Sequence, residues 1–267
     1  MIRHGGAVWR TALMVFCVLV AVWLVAPSLI VIPLSFTNRP SFNFPPSGWS
    51  TTWYANFFSD PTWILALQAS IRVGLLVTLV ATICGTAAAV ALSRTRFVGD
   101  QGVRALLLSP MIVPVIVVSI GTYAIYLRLN LLGTTTGFVL AHSVLALPFV
   151  IIPVSASLQG FDRRLEDAAA ICGANRWATF RTVTLPLVAP GVMSGALFAF
   201  ATSFDEVVVS LFLTGPNLKT LPVELFHYAD QRPDPMVACV STLLIVLTMA
   251  VVVVIDRSVG LARTFLK

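Results

Sequence analysis

Residues 166–186 read "EDAAAICGANRWATFRTVTLP", a segment with two acids, two arginines, a glycine and a tryptophan between two long apolar runs. The chain around it is 58% hydrophobic and only 10% charged, with a mean hydropathy of +0.93. Soluble domains carry about a quarter of their residues as charges. This much apolar surface has only lipid as a matching solvent, so the polar segment is read as a loop joining two membrane-embedded helices.

Working outward from it, six apolar runs approach the ~20 residues that a bilayer core requires. They cover 11–36, 69–92, 103–127, 138–158, 187–213 and 236–255, with a polar loop over 159–186. Each is expected to be helical, because lipid offers backbone N–H and C=O groups no outside partner. The expectation is an all-α integral membrane protein, a single transmembrane domain over 1–267. The first run follows Arg3 and Arg10, as a signal peptide would, but it is longer than a signal core. No small-x-small cleavage site precedes Pro27, so it is read as a retained span.

The basic residues set the orientation. Arg3, Arg10, Arg94, Arg96, Arg104, Arg163, Arg164, Arg176, Arg181, Arg257, Arg263 and Lys267 fall on one side of this topology; Arg39, Arg72, Arg128, Lys219 and Arg232 fall on the other. The richer side is the cytoplasm, which places both termini and the 159–186 loop there. The net charge of +6 arises from this asymmetry and argues membrane topology rather than nucleic-acid binding. Cys17, Cys84 and Cys239 fall in spans and Cys172 in the loop, so no external disulfide is expected.

Several chemistries are missing. The only lysines, Lys219 and Lys267, do not follow a phosphate-loop glycine pattern. His4, His142 and His227 lie in three separate segments, with neither H-E-x-x-H nor G-x-S-x-G. No catalytic, cofactor or metal residue is therefore assigned. His142, about a turn inside the fourth span, reads as a packed or interfacial side chain rather than a ligand. The aromatic, proline-rich run over 37–63 suits a stacking surface for a ligand or, better, an interfacial segment with its rings at headgroup level. Within it "STTWYANFFSD" has the makings of a short amphipathic helix.

The polar loop has its own local logic. Residues 163–172, with Ala168, Ala169 and Ala170 in sequence, favour a helix. Gly173 permits a turn that a side chain would resist, and Asn175 can cap a second short helix reaching Phe180. Pro186 and Pro190 are expected to restart the chain into the fifth span. The product is a helix–turn–helix elbow exposing Trp177 and Phe180. Burying a tryptophan removes ~150–250 Å², which at ~25 cal/mol per Å² is at most a few kcal/mol. That suits a docking knob, and it equally suits a ring resting on headgroups.

The spacing of this segment resembles the EAA motif of permease subunits in binding-protein-dependent ABC importers. That motif reads E-A-A, three residues, Gly, nine residues, then I-x-L-P. Here Asp167, Ala168 and Ala169 take the first positions, Gly173 the glycine, and Val183, Thr184, Leu185 and Pro186 the last. The departures are Asp for Glu and Val for Ile, and Glu166 stands ready to share the acidic role. "LAHSVLALPFVIIPVSASLQGFDRRLEDAA", "GALFAFATSFDEVVVSLFLTGP" and "DPMVACVSTLLIVLT" look like the spermidine/putrescine branch of these permeases. The resemblance implies a type I ABC importer permease fold of six transmembrane helices in the inner membrane, with the elbow as the coupling helix. It also implies a second related permease, two ATPase subunits carrying ATP and Mg, and an external substrate-binding protein. By the same resemblance Glu166, Asp167, Ala168, Ala169, Gly173, Trp177, Leu185 and Pro186 contact the ATPase, and this chain binds no cofactor.

Within the fifth run, Asp205 and Glu206 stand 18 and 19 residues beyond Leu187. At ~1.5 Å per residue, Asp205 lies ~27 Å along a helix, in the outer half of the membrane. Ionised acids facing lipid are costly, so a wet cavity or a cationic partner is expected. They can line a path for a cationic solute such as a polyamine, or pair with Arg72 or a neighbouring subunit. Adjacent residues point ~100° apart on a helix, so one narrow track receives only one of them. Pro110 and Pro114 are expected to kink or delay the third helix. Ser109, Ser119 and Thr122 can line a path but more often bond back to their own helix. The remaining alternatives are an importer of the same class for another small organic solute, such as an amino-acid derivative or a cation complex, and an ATPase-independent secondary transporter. The secondary transporter leaves the elbow unexplained.

The basic-residue asymmetry makes a direct prediction. A single cysteine at Asn175, in a cysteine-free background, should resist membrane-impermeant thiol reagents in intact cells and react after permeabilisation. Labelling from outside would reverse the topology.

Overall fold

The structure, a computed structural model, describes residues 5–94 and 98–265. Arg3, His4, Arg96 and Lys267 lie outside the described residues. Twelve α-helices follow one another among the described residues: α1 (Gly5–Leu34), α2 (Thr52–Ser59), α3 (Pro61–Arg94), α4 (Asp100–Leu108), α5 (Val115–Leu129), α6 (Thr135–Gln159), α7 (Arg164–Ile171), α8 (Arg176–Thr179), α9 (Leu185–Phe204), α10 (Val208–Leu213), α11 (Leu221–Gln231) and α12 (Met236–Phe265). Among the described residues five stretches are long and apolar enough to cross a membrane, Trp9–Leu34, Pro61–Arg94, Thr135–Gln159, Arg176–Phe204 and Met236–Val253, and the bent pair Asp100–Met111 with Val115–Leu129 makes a sixth when counted as one span.

Three details differ from the sequence expectation. The run over 103–127 is not one kinked helix; α4 with a 3₁₀ turn at Ser109–Met111 meets α5 at 99°. Pro110 is the second residue of the 3₁₀ turn and Pro114 stands at the N-cap of α5. Two prolines four apart remove two backbone donors and disfavour helical geometry in the residues before them. The fifth span, expected over 187–213, stops at Phe204, and α10 begins only at Val208. Asp205 and Glu206 therefore sit in a helix break rather than within a continuous helix. The valines at 207–209 have low helix propensity, and the Glu206 carboxylate accepts the Val209 N–H at 2.9 Å, giving the backbone another partner.

The third difference is at the elbow. Pro186 and Pro190 do not restart the chain, because α8 runs into α9 through a π turn at Phe180–Thr184. The Leu185 N–H reaches back to the Phe180 carbonyl, an i→i−5 bond. This wider turn accommodates the ring and the missing donor of Pro186, the second residue of α9.

Chain contacts divide the molecule into two compact units. The larger spans 62–226 with 248–267, and its centre is α6 against α9. Gly191 and Gly195 form a G-x-x-x-G stripe on α9 that the sequence reading passed over. A Cβ on Gly191 would stand 2.6 Å from the Pro153 carbonyl, and one on Gly195 would stand 3.0 Å from the Val150 Cα. On α3 the buried row Val73, Val77, Ala81, Gly85 and Ala89 repeats every fourth residue and keeps the helix narrow on that face. Phe138, Ala146, Val150, Val154 and Ala199 complete the core. Ser109 and Ser119 bond to carbonyls of their own helices, at 2.7 and 2.8 Å.

The smaller unit spans 1–61 with 227–247. The segment after α1 folds back on itself through an antiparallel bridge between Thr37 and Trp49. The short amphipathic helix is present as α2, but its rings do more than rest at an interface. Trp53 Nε1 donates to the Thr37 carbonyl at 2.9 Å, Tyr54 and Ser35 share a 2.7 Å hydrogen bond, and Phe57 is fully buried. Trp49, Phe42 and Phe44 stay exposed. Between α11 and α12, Tyr228 donates to Asp234 at 2.8 Å. Burial and that neighbouring carboxylate push its phenol up to about 12, so it remains a donor at physiological pH.

Gly191→Ala is expected to lower stability by about 1–3 kcal/mol, the usual cost of overpacking a close contact. The measurement is the thermal midpoint of the purified membrane protein. An unchanged midpoint would mean that the α6–α9 approach is not tight.

Candidate functional site

The elbow is built by local rules. The Asp162 carboxylate accepts the Arg164 N–H at 3.0 Å and α7 follows. At its end the Ala174 N–H bonds the Ala169 carbonyl and the Gly173 N–H bonds the Ala170 carbonyl. With Gly173 at φ +85°, this is a Schellman cap, the turn for which glycine is required. Asn175 Oδ1 then accepts the Ala178 N–H at 2.9 Å and opens α8 as expected. Trp177 stacks on Phe180 with ring centroids 5.7 Å apart.

Tip and base differ in character. At the tip Trp177 is 69% and Ile171 87% exposed, and Asp167, Ala168 and Gly173 are exposed as well. Ile171 and Leu165 were missed in the sequence; their signal is an apolar residue on an otherwise polar island. Ala169 and Leu185 are half-buried and Pro186 is exposed. At the base Glu166 turns inward. Its carboxylate accepts hydrogen bonds from Arg94 at the end of α3 and from the buried hydroxyl of Thr184 in the π turn. Its partners are thus inside the chain, in contrast to the exposed Asp167 beside it. Two more arginines close the end of α3, Arg104 donating to the Leu92 carbonyl and Arg163 to that of Ser93. Cations at a helix C-terminus satisfy its orphan carbonyls and oppose its dipole.

The second candidate is the break. Asp205 is exposed and Glu206 half-buried. Among the described residues neither forms an ion pair, so the expected alternative of a link to Arg72 is not seen. The break is bridged by His142, which is buried, with Nδ1 3.0 Å from Ser203 Oγ and Nε2 3.1 Å from Ser210 Oγ. One serine belongs to α9 and the other to α10, so a single imidazole holds both sides together. The packed reading of His142 is correct, but its bridging partners were invisible in the sequence. No metal-ligating cluster of three or more His, Cys, Asp or Glu occurs among the described residues.

A family model for the inner membrane component of binding-protein-dependent transport systems matches residues 81–261. The chain belongs to this family. It is 35% identical over 241 residues to the spermidine/putrescine transport system permease protein PotC of Haemophilus influenzae, covering 89% of this chain and 92% of that protein. It is 30% identical over 244 residues to the putrescine transport system permease protein PotI of Escherichia coli, covering 89% and 85%. Among solved structures, a bacterial ABC transporter for alginate import superposes with a TM-score of 0.71 at 15% identity, over 97% of this chain and 98% of that one. The MetNI methionine ABC transporter in an inward-facing form gives 0.61 at 19% identity, over 76% and 99%. The fold is that of a type I ABC importer permease. The protein is an inner-membrane transport component rather than an enzyme.

Gly173→Val should raise the local energy of the elbow by at least ~1–2 kcal/mol, since a β-branched residue resists positive φ. Nothing lies within 4 Å of an added Cβ there, so the effect is conformational rather than steric. Amide hydrogen exchange over 169–175 should accelerate while the thermal midpoint holds. Unchanged exchange would show that the turn tolerates a side chain.

Proposed function

We propose that this permease forms the translocation path of an ATP-driven importer for a small cationic solute such as spermidine or putrescine. The observation that carries the reading is the acidic pair Asp205–Glu206, held at a helix break with no ion pair to either acid among the described residues. Acids are expensive at membrane depth unless they meet water or a cationic cargo. The relatives PotC and PotI, whose names give spermidine/putrescine and putrescine transport, point the same way.

In this reading the chain is a single permease domain with both termini cytoplasmic. It pairs with a second, related permease, two ATPase subunits that hold ATP and Mg, and an external binding protein. The elbow is the coupling helix. Asp167, Ala168, Ala169, Gly173, Trp177, Leu185 and Pro186 face the ATPase, with Trp177 and Ile171 as the apolar knob. Glu166 supports them from behind by fastening the elbow to α3 and the π turn, so that a push on the tip is delivered to α9.

The test is uptake per assembled complex in proteoliposomes, with ATP hydrolysis measured in parallel. Asp205→Asn with Glu206→Gln should slow polyamine uptake at least tenfold while assembly persists. Trp177→Ala should instead lower ATPase retention or the uptake per ATP hydrolysed. Full uptake by the doubly neutral variant would remove the electrostatic role, and unaltered coupling in Trp177→Ala would remove the elbow's.

A further inference from the structure

Two adjoining cavities open where α3 ends, α4 begins and α6 ends. One, of about 290 Å³, is walled chiefly by Leu107, Leu108, Ile151 and Ile152. The other, of about 470 Å³, is polar and presents Arg163, Asp100 and Ser93. Leu92, Arg104, Ser155 and Gln159 line both, so the two share a wall. Leu92 and Gln159 lie at or near the last residues of their helices, and Asp100 is the first of α4. The pair therefore sits at the ends of apolar helices, where hydrocarbon gives way to headgroups. Ile152, on the apolar side, is 48% exposed.

The arrangement is amphipathic at the scale of one lipid. Arg104 and Arg163 each spend one nitrogen on a carbonyl at the end of α3. A guanidinium has five N–H donors in a planar fork, suited to phosphate oxygens, so each retains further capacity. One carboxylate, Asp100, against two guanidiniums leaves the polar chamber net positive. Capping alone explains the arginines but not the apolar chamber that Arg104 also lines. A free anion explains the charge but has no use for Leu107 and Ile152. Basic pockets between transmembrane helices are known to take anionic lipid headgroups.

We propose that these paired cavities hold one anionic membrane phospholipid, its phosphate on Arg104 and Arg163 and an acyl chain in the chamber beside Leu107 and Ile152. Bound there, the lipid braces the end of α3 and hence the Arg94–Glu166 contact at the base of the elbow.

The experiment uses the permease purified in its native assembly in mild detergent. Phosphatidylglycerol or phosphatidylcholine with the same acyl chains is added, and retained lipid is counted by native mass spectrometry. Phosphatidylglycerol should be retained at least tenfold over phosphatidylcholine. The double variant Arg104→Gln, Arg163→Gln removes both charges while leaving polar side chains in their place, and should abolish the preference. Ala156→Phe, which fills the apolar chamber without touching a charge, should lower phosphatidylglycerol retention to a similar degree. Equal retention of the two lipids, or retention that Ala156→Phe leaves unchanged, would overturn the proposal, as would a partner subunit found covering the cavities. Displacement by millimolar inorganic phosphate would make the site one for free anions and also overturn it. If the glutamine variant fails to assemble, the lipid comparison and Ala156→Phe decide the matter.

Discussion

The backbone-to-backbone approach of α6 and α9 is the contact on which the larger unit depends. Between helices in lipid there is no hydrophobic driving force, because lipid tails are as apolar as leucine; close packing has to supply the attraction. Gly191 and Gly195 remove the side chains that would hold the helices apart, and Pro153 and Val150 occupy the space. Val150 is also the side chain against which Gly85 of α3 packs. Three helices thus meet at one valine, which fixes where both ends of α9 emerge from the core.

At one end of α9 the chain breaks. An interrupted helix in a membrane leaves backbone groups without partners, and here side chains supply some of them. Glu206 takes an amide of α10, while His142, anchored two turns from Val150 on α6, reaches serines on both sides. An acid that satisfies backbone and a histidine that bridges helices let two carboxyl groups occupy a position that a continuous helix could not offer. Asp205 is exposed and forms no ion pair among the described residues.

At the other end of α9 the opposite solution is used. The π turn at Phe180–Thr184 keeps α8, the second arm of the elbow, and α9 in one continuous helix. Glu166 then ties that turn to α3 through Thr184 and Arg94. Adjacent acids divide the labour, Glu166 holding the base and Asp167 facing outward. α9 thus has a continuous helical entry at one end and a break at the other.

The sequence by itself determined the medium, the number of apolar runs and the elbow. Composition leaves no other solvent than lipid, and the turn at Gly173 with the cap at Asn175 is short-range information, legible because a Schellman turn and an asparagine cap form within a few residues. Only the tertiary structure decided that Pro110 and Pro114 make a 99° bend, that Pro186 is absorbed by a π turn, and that the fifth run breaks at Asp205. It also decided the partners of Glu166 and His142, which lie on other helices: Arg94 is 72 residues from Glu166, and Ser203 is 61 residues from His142. Periodicity and hydropathy measure what a residue prefers as its solvent, and within an apolar run they are nearly blind to where a helix stops. The stop depends on which distant side chain arrives to take the freed backbone or hydroxyl group, and that is known only once the helices have packed.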